Sequence, residues 1–243
     1  MGWEALSLWD DAKRVERLAG GVANDVWSVR LGDQLAVARL GRRSDADLAW
    51  EAGLLQHLNR NRLTAPVPIP TRDGRLFVDG LMLMTFVEGG PPATADDWRR
   101  VARTLRELHR LTQGWPQRPG WRSSIDLLSA ESGTRVDLNR MPPEAVARCR
   151  AAWRRLAGRD MAVVHGDPNP RNIRLTGERV AFIDWDEAHV DVPDLDLGNL
   201  PDNAAGFDEA ARDVAAQASA AWEAAVCWDD DHSKNRLAEV RAV

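Results

Sequence analysis

Asp167, Asn172 and Asp184 lie close together in the sequence, and their side-chain types could do chemistry together. Asp167 stands in a loop that contains Pro168 and Pro170, so this loop can be neither helix nor continuous strand. The oxygens of an Asn and an Asp side chain are hard ligands, suited to Mg²⁺ that also holds phosphate oxygens. Asp167 can accept a hydroxyl proton and aim the hydroxyl oxygen at phosphorus. Because phosphoryl transfer depends mainly on positioning and charge neutralisation, this small set is sufficient for it.

The elements around these residues are expected to bring them together. An apolar run leads into His165-Gly166-Asp167, and two short strands follow at residues 172–175 and 179–183, joined by a turn at 176–178. A hairpin places the start of its first strand beside the end of its second strand. Asn172 and Asp184 are therefore expected to face one site.

The first part of the chain is predicted to be rich in strands. Alternating apolar residues predict a hairpin of strands 26–31 and 34–40 around Gly32-Asp33. Two further strands are predicted at 75–78 and 81–87, while the prolines of segment 66–70 require an extended chain. A helix is predicted over 45–58, capped by Ser44 or Asp45.

After Gly89-Gly90-Pro91-Pro92 the pattern becomes helical. Apolar spacing near 3.6 predicts helices at 95–111, 144–156 and 207–226, and a short helix at 126–131. The sequence therefore predicts a small, strand-rich lobe at residues 1–88 and a larger, mainly helical lobe at residues 89–243.

The combined motif resembles the aminoglycoside phosphotransferase and choline kinase family, which are small-molecule relatives of the protein kinases. The resemblance is carried by His165-Gly166-Asp167, by Asn172 five positions after Asp167, and by Ile183-Asp184-Trp185-Asp186. It implies an α+β, two-lobed, protein-kinase-like fold with a small antiparallel-sheet N-lobe and a mainly helical C-lobe. It also implies ATP and Mg²⁺ as cofactors, Asp167 as the catalytic residue, and Asn172 and Asp184 as metal ligands.

The resemblance extends to candidate nucleotide-binding residues in the first lobe. Arg39 occupies the strand position where protein kinases carry Lys, and Glu51 matches its acidic partner. The whole set is Gly20, Gly21, Arg39, Glu51, Thr85, Phe86 and Val87, of which the last three match the hinge that would bind the adenine edge. Taken singly, each has an ordinary alternative: a plain turn for the glycines, an exposed strand residue for Arg39, a solvated helix residue for Glu51, and a buried strand for the hinge.

The resemblance implies that His165 braces the catalytic loop and that Asp196 supports it, whereas His109 is expected to be a buried structural residue. Neither histidine is expected to transfer protons. The sequence departs from the family at Arg171, where many relatives carry Gly. It also departs in the short segment after Asp196, from which a reduced acceptor pocket or a compensating partner is expected.

The acceptor is expected to be a hydroxylated, cationic small molecule. Residues 180–211 contain nine Asp and Glu and no Lys or Arg, and a stretch of this kind attracts cations or forms a solvated face. Asp186, Glu187 and Asp191 are the candidate substrate residues, and an aminoglycoside or another antibiotic is the leading acceptor. Amino alcohols, sugars and nucleosides remain open, as does a non-catalytic nucleotide-binding module.

The composition argues against several other classes of protein. The net charge of −5 does not favour wholesale nucleic-acid binding. No apolar run of membrane-spanning length and no secretory signal is visible, and two distant cysteines suit a reducing compartment. The chain is therefore expected to be cytoplasmic, with no membrane or nucleic-acid partner and with no indication of its oligomeric state.

Overall fold

The computed structural model of the chain describes residues 2–18, 24–229 and 231–241. Two compact units form within it. The first unit comprises residues 1–90 and 174–183, and the second comprises residues 91–173 and 184–243. The short segment 174–183 thus belongs to the first unit, although it lies far from residues 1–90 in the sequence. The predicted lobes, 1–88 and 89–243, do not include this arrangement. No described helix is long and apolar enough to cross a membrane.

The first unit is built on an antiparallel sheet. Its strands are β1 (Lys13–Arg17), β2 (Asp25–Leu31), β3 (Gln34–Leu40), β4 (Phe77–Val78) and β5 (Leu81–Thr85), in the order β1-β2-β3-β5-β4. The β2–β3 register pairs Leu31 with Gln34, which leaves Gly32 and Asp33 as a two-residue turn. A short 3₁₀ helix, Trp3–Leu8, contributes Leu6 to the apolar cluster of this sheet.

Helix α1 (Asp45–Arg60) follows β3 in the first unit. Ser44 is its N-cap, because the Ser44 side chain accepts a hydrogen bond from the N–H of Asp47 at 3.2 Å. The helix buries Leu48, Leu54 and Leu55 with 1% or less of their surface exposed.

The hairpin of β7 (Ile173–Thr176) and β8 (Arg179–Phe182) attaches to the first unit through its backbone. Leu175 and Gly90 exchange two hydrogen bonds, of 3.1 and 2.8 Å. Gly89 adopts φ 134°, and a Cβ atom there would lie 2.6 Å from the carbonyl oxygen of Leu175. Only glycine therefore permits this close approach of the two backbones.

The second unit is mainly helical. Its helices are α2 (Ala95–Leu111), α3 (Pro143–Arg154), α4 (Asp194–Leu197), α5 (Glu209–Val226) and α6 (Asp231–Glu239). Strands β6 (Ala162–Val164) and β9 (His189–Asp191) form a separate antiparallel pair. Trp153 and Trp222 join the apolar core around α3 and α5. Helix α2 begins at a capping box, in which Thr94 and Asp97 exchange side-chain and backbone bonds.

The structure confirms most of the predicted elements and shortens several. Helix α2 and strand β3 have the predicted bounds, and the extended segment 66–70 is free of helix. The strand predicted at 75–78 is reduced to Phe77–Val78, and the short helix at 126–131 is a 3₁₀ turn over Asp126–Leu128. Strands β1 and β9 and helix α6 were not predicted, because they are short or lack a clear apolar period.

Candidate active site

Asp167 is half-buried in the loop after β6, and one of its carboxylate oxygens is already engaged. Its Oδ2 accepts hydrogen bonds from the side-chain amides of Asn169, at 2.8 Å, and Asn172, at 2.9 Å. Among the described residues, none donates to the other oxygen, Oδ1. The arrangement fixes the carboxylate and leaves Oδ1 to accept a proton from a hydroxyl group.

Asn172 is oriented by the same loop. Its Nδ2 donates both to the Asp167 carboxylate and to the Asp167 carbonyl oxygen, the latter at 3.1 Å. Because the amide nitrogen is engaged in this way, the amide oxygen is the atom that can face a cation. The metal role of Asn172 stays a prediction, and the two hydrogen bonds join its side chain to Asp167.

Asp196 anchors the backbone of this loop from within the second unit. It is fully buried, and its oxygens accept the N–H of His165 at 2.8 Å and the N–H of Gly166 at 2.9 Å. His109 Nε2 lies 2.8 Å from Asp196 Oδ2 and donates to it. Burial raises the pKa of Asp196, but the His109 hydrogen bond, the nearby histidines and the backbone N–H donors outweigh it and hold the pKa below its usual range.

His165 is a structural residue of the loop. Its Nδ1 accepts the N–H of Asp167 at 3.3 Å, and its ring packs edge-on against Trp185, with ring centroids 4.9 Å apart. The side chain is fully buried. Because His165 is buried and its Nδ1 is already engaged, its environment suits bracing of the loop better than proton transfer.

Asp184 is exposed and lies two residues after the end of β8. Its φ of 60° lies in the left-handed region, which is uncommon for a residue with a side chain. The next residues form a turn closed by the Ala188 N–H and the Trp185 carbonyl oxygen at 3.1 Å. Gly166 lies against this turn, since a Cβ there would be 2.4 Å from the Glu187 carbonyl oxygen. The loop carrying Asp167 and the segment carrying Asp184 are thus neighbours.

The oxygen donors suit Mg²⁺, because the Asn172 amide oxygen and the Asp184 carboxylate are both hard ligands. Across the described chain, no group of three or more His, Cys, Asp or Glu side chains is placed to hold a metal ion. A site with one carboxylate and one amide would therefore take its remaining ligands from a nucleotide and water, as Mg²⁺ usually does with phosphate substrates.

In the first unit, Arg39 and Glu51 form a buried ion pair. Arg39 Nη2 lies 2.6 Å from both carboxylate oxygens of Glu51, and the two side chains are 6% and 0% exposed. The ordinary alternatives, an exposed strand residue and a solvated helix residue, do not fit this burial. Arg43, which the sequence analysis did not single out, also pairs with Glu51 and bonds Asp47 at 2.8 Å.

Thr85, Phe86 and Val87, which the sequence predicts to bind the adenine edge, differ in how their backbone groups are engaged. The Thr85 N–H donates to the Val67 carbonyl oxygen at 2.9 Å, so it is already engaged. No described residue hydrogen-bonds to the backbone of Phe86 or Val87. These two residues are therefore the stronger candidates for the adenine edge. Gly20 and Gly21, predicted to hold phosphate, lie outside the described residues.

The three residues predicted to bind the acceptor molecule have different surroundings. Asp186 is half-buried within the turn after Asp184. Glu187 is also half-buried and pairs with Arg135, whose Nε lies 3.2 Å from Glu187 Oε2. Asp191 is fully buried.

The prediction that Asp191 meets the acceptor does not fit its environment. Its carboxylate accepts the N–H and the hydroxyl of Ser124, both at 2.6 Å, and the N–H of Val192 at 2.7 Å. A carboxylate saturated by internal donors and closed to solvent fixes local structure. The run of acidic residues therefore does not form one open anionic surface.

Arg118 is a residue of this region that the sequence analysis missed. It is 2% exposed, and its guanidinium donates to backbone carbonyls of the segment that follows Asp184. An arginine in a loop is ordinarily solvated, so no local sequence signal distinguishes this one. Gln117 beside it exchanges two side-chain bonds with the backbone of Val190, at 2.8 and 2.9 Å.

Comparison with known proteins agrees with the motif. The sequence model of the phosphotransferase enzyme family matches residues 14–230, which is most of the chain. The chain belongs to this family. Homoserine kinase of Rhizobium johnstonii is 29% identical over 180 residues, covering 68% of this chain and 56% of that protein. The chain spans about half the length of the curated relatives it matches.

Solved structures share the fold of this family member over nearly its whole length. A microcompartment-associated aminopropanol kinase superposes with a TM-score of 0.66 at 18% identity, covering 98% of this chain and 92% of that one. A choline kinase of Streptococcus pneumoniae superposes with a TM-score of 0.65 at 14% identity, covering 98% and 94%. These likenesses confirm the predicted α+β kinase-like fold, with a small antiparallel-sheet unit and a mainly helical unit.

Proposed function

We propose that this chain transfers a phosphate from ATP to a hydroxyl group of a small, amine-bearing molecule. The observation that carries the proposal is the hydrogen-bonded pair of Asp167 and Asn172 on a loop anchored by buried Asp196. Membership of the phosphotransferase enzyme family supports it. The chemistry asks the protein mainly to position groups and to neutralise charge, and both needs can be met by the residues described.

Each residue has a defined part in this proposal. Asp167 Oδ1 would accept the proton of the acceptor hydroxyl, while Asn169 and Asn172 keep the carboxylate from rotating. Asn172 and Asp184 would hold Mg²⁺, which when bound neutralises charge on the phosphates. Arg39, fixed by Glu51, would bind nucleotide phosphate.

The adenine and phosphate contacts in the first unit are part of the same proposal. The backbone groups of Phe86 and Val87 would bind the adenine edge, and Thr85 would shape the hinge through its bond to Val67. Gly20 and Gly21 would complete the phosphate contacts.

The acceptor that we propose is an amino alcohol or a hydroxyl-bearing amino acid, in place of the aminoglycoside that the acidic stretch first favoured. A polycationic acceptor needs several open carboxylates. Asp191 is buried and Glu187 is paired with Arg135, so two of the three candidate carboxylates are not open to a polycation. The matched relatives named homoserine kinase support an acceptor of this size.

ADP release with Mg·ATP tests the proposal against homoserine, amino alcohols, aminoglycosides, macrolides, sugars and nucleosides. We expect release that depends on an amine-bearing small acceptor. Replacing Asp167 by Asn should lower kcat by roughly 10²–10⁴-fold, the usual contribution of a positioned acid or base, with ATP affinity unchanged. Asp160→Asn, an exposed residue before β6, is the matched control and should retain wild-type activity.

The metal assignment has its own test. Asp184→Ala should weaken nucleotide binding in the presence of Mg²⁺ and leave binding in EDTA unchanged. A variant with normal Mg·ATP affinity would remove Asp184 from the metal site. Nucleotide binding without turnover of any acceptor would favour a non-catalytic nucleotide-binding module. Activity confined to aminoglycosides would favour the polycationic acceptor that the acidic stretch predicts.

A further inference from the structure

The turn that follows Asp184 is held from inside by one buried guanidinium. Arg118 Nη1 lies 3.1 Å from the carbonyl oxygen of Trp185, 2.9 Å from that of Asp186 and 2.7 Å from that of Ala188. Arginine keeps its charge at this depth, so it requires acceptors there, and the three carbonyls supply them. The position of Arg118 thus fixes the path of the backbone immediately after Asp184.

The remaining carbonyl of the turn is bound by a second side chain. His189 Nδ1 lies 2.7 Å from the Glu187 carbonyl oxygen, and a carbonyl can only accept, so Nδ1 donates. His189 is fully buried, and its Nε2 faces Asp191 Oδ2 at 3.3 Å. Together, Arg118 and His189 bind the carbonyl oxygens of residues 185–188, and we call these two side chains the carbonyl clamp.

The two members of the carbonyl clamp are joined by an aromatic stack. The Arg118 guanidinium lies 4.9 Å from the ring centroid of Trp121. Trp121 stacks on His189 with centroids 5.0 Å apart and planes at 23°, and His189 stacks on Trp222 at 4.5 Å and 16°. Trp222 belongs to α5, so the stack ties the turn to the packed core of the second unit.

We propose that Arg118 and His189 are positioning residues for the metal-binding carboxylate of Asp184. Asp184 has a left-handed φ of 60°, a conformation that costs free energy and persists only where neighbouring structure imposes it. The carbonyl clamp fixes the segment that begins one residue later. Releasing the clamp lets Asp184 relax to an ordinary backbone conformation, which moves its carboxylate and weakens the Mg²⁺ site. The inference rests on the proposed function, because it takes Asp184 as a Mg²⁺ ligand.

Binding of a non-hydrolysable ATP analogue, measured by calorimetry at a series of Mg²⁺ concentrations and without acceptor, tests this inference. We expect Arg118→Gln to raise the half-saturating Mg²⁺ concentration at least tenfold and to leave affinity in EDTA unchanged. His189→Phe keeps an aromatic ring in the stack but removes the donor to Glu187, and it should raise the Mg²⁺ requirement about threefold. This second variant covers the case in which Arg118→Gln does not fold.

Arg150→Gln is the matched control. Arg150 also donates to two backbone carbonyls of the second unit, those of Leu127 and Ala130, both at 3.0 Å. Its loss should lower thermal stability without changing the Mg²⁺ requirement. A wild-type Mg²⁺ requirement in folded Arg118→Gln, or in His189→Phe, would overturn the positioning role and leave the proposed function standing. Absence of Mg²⁺-dependent nucleotide binding in the wild-type protein would overturn both.

Discussion

Replacing Asp196 by Asn should loosen the loop that carries Asp167. The carboxylate accepts three hydrogen bonds, from His109, from the N–H of His165 and from the N–H of Gly166. An Asn side chain has one oxygen, so its amide group must face at least one of these donors. The least costly arrangement turns the amide toward Gly166 and leaves that N–H buried without an acceptor.

The cost can be worked out from this geometry. One buried N–H without a partner costs about 1–3 kcal/mol, and two charge-assisted bonds that become neutral lose about 1 kcal/mol each. The sum, roughly 3–5 kcal/mol, matches the usual cost of removing one partner of a buried pair. In a chain of this length it corresponds to a fall of roughly 6–20 °C in Tm. Thermal unfolding followed by circular dichroism measures it.

His109→Gln is the control for Asp196→Asn. It removes one donor of three, and the Gln amide can replace that donor, so the expected loss is about 1–2 kcal/mol. A Tm for Asp196→Asn within 2 °C of the wild-type value would refute the argument that this carboxylate anchors the loop.

The pH dependence gives a second readout on the same group. The pKa of Asp196 is lowered in the folded protein from an ordinary value of 3.8, so its stabilising contribution is complete above that value. The contribution is lost as the pH falls below 3.8 toward the folded pKa. The difference in free energy of unfolding between wild type and Asp196→Asn should therefore be constant from pH 7 to 5 and shrink by pH 3. A difference independent of pH would contradict the ionised state of Asp196.

Three further predictions concern other parts of the chain. Arg39→Ala should raise the KM for ATP at least tenfold and destabilise the protein by about 3 kcal/mol. This value is at the low end for a broken buried pair, because Glu51 keeps a second arginine, Arg43. Steady-state kinetics and urea unfolding measure the two effects, and Arg30→Lys is a control at an exposed position. Gly89→Ala should lower Tm, because φ 134° is strained for alanine and its Cβ would meet a carbonyl oxygen of β7; an unchanged melt would contradict the close approach. Burial raises the pKa of Cys149 to about 12, so a thiol-alkylating reagent at pH 8 should leave it unmodified in the native protein and label it after unfolding, as read by mass spectrometry.

The sequence predicted the elements whose signals are local. Helix α2 has the predicted bounds, because its apolar residues repeat near every 3.6 positions; in the structure Thr94 and Asp97 form a capping box at its start. The hairpin of β2 and β3 follows from Gly32-Asp33 and alternating residues. Strand β1 carried no such signal, since all five of its residues are exposed. An edge strand with no buried face cannot be recognised by alternation.

The acidic segment shows where local composition misleads. From the sequence, Asp191 belongs to the same anionic run as Asp186 and Glu187. In the structure its neighbours Ser124 and Val192 supply donors that make burial of the carboxylate possible. Ser124 lies 67 positions earlier in the chain, so the sequence close to residue 191 does not reveal that the Asp191 carboxylate has this donor.

The candidate catalytic groups also depend on contacts between residues that lie far apart in the sequence. Asp167 and Asn172 are five positions apart and can be recognised together, as a motif. Asp196 reaches its partner His109 across 87 positions, and Arg118 binds the turn after Asp184 across 67 to 70. A buried charge that binds backbone carbonyls places little demand on the identity of the residues that carry them, so their sequence does not reveal it. The motif residues and their supports His165 and Asp196 can thus be inferred from the family resemblance, whereas Arg118 becomes visible only in the fold.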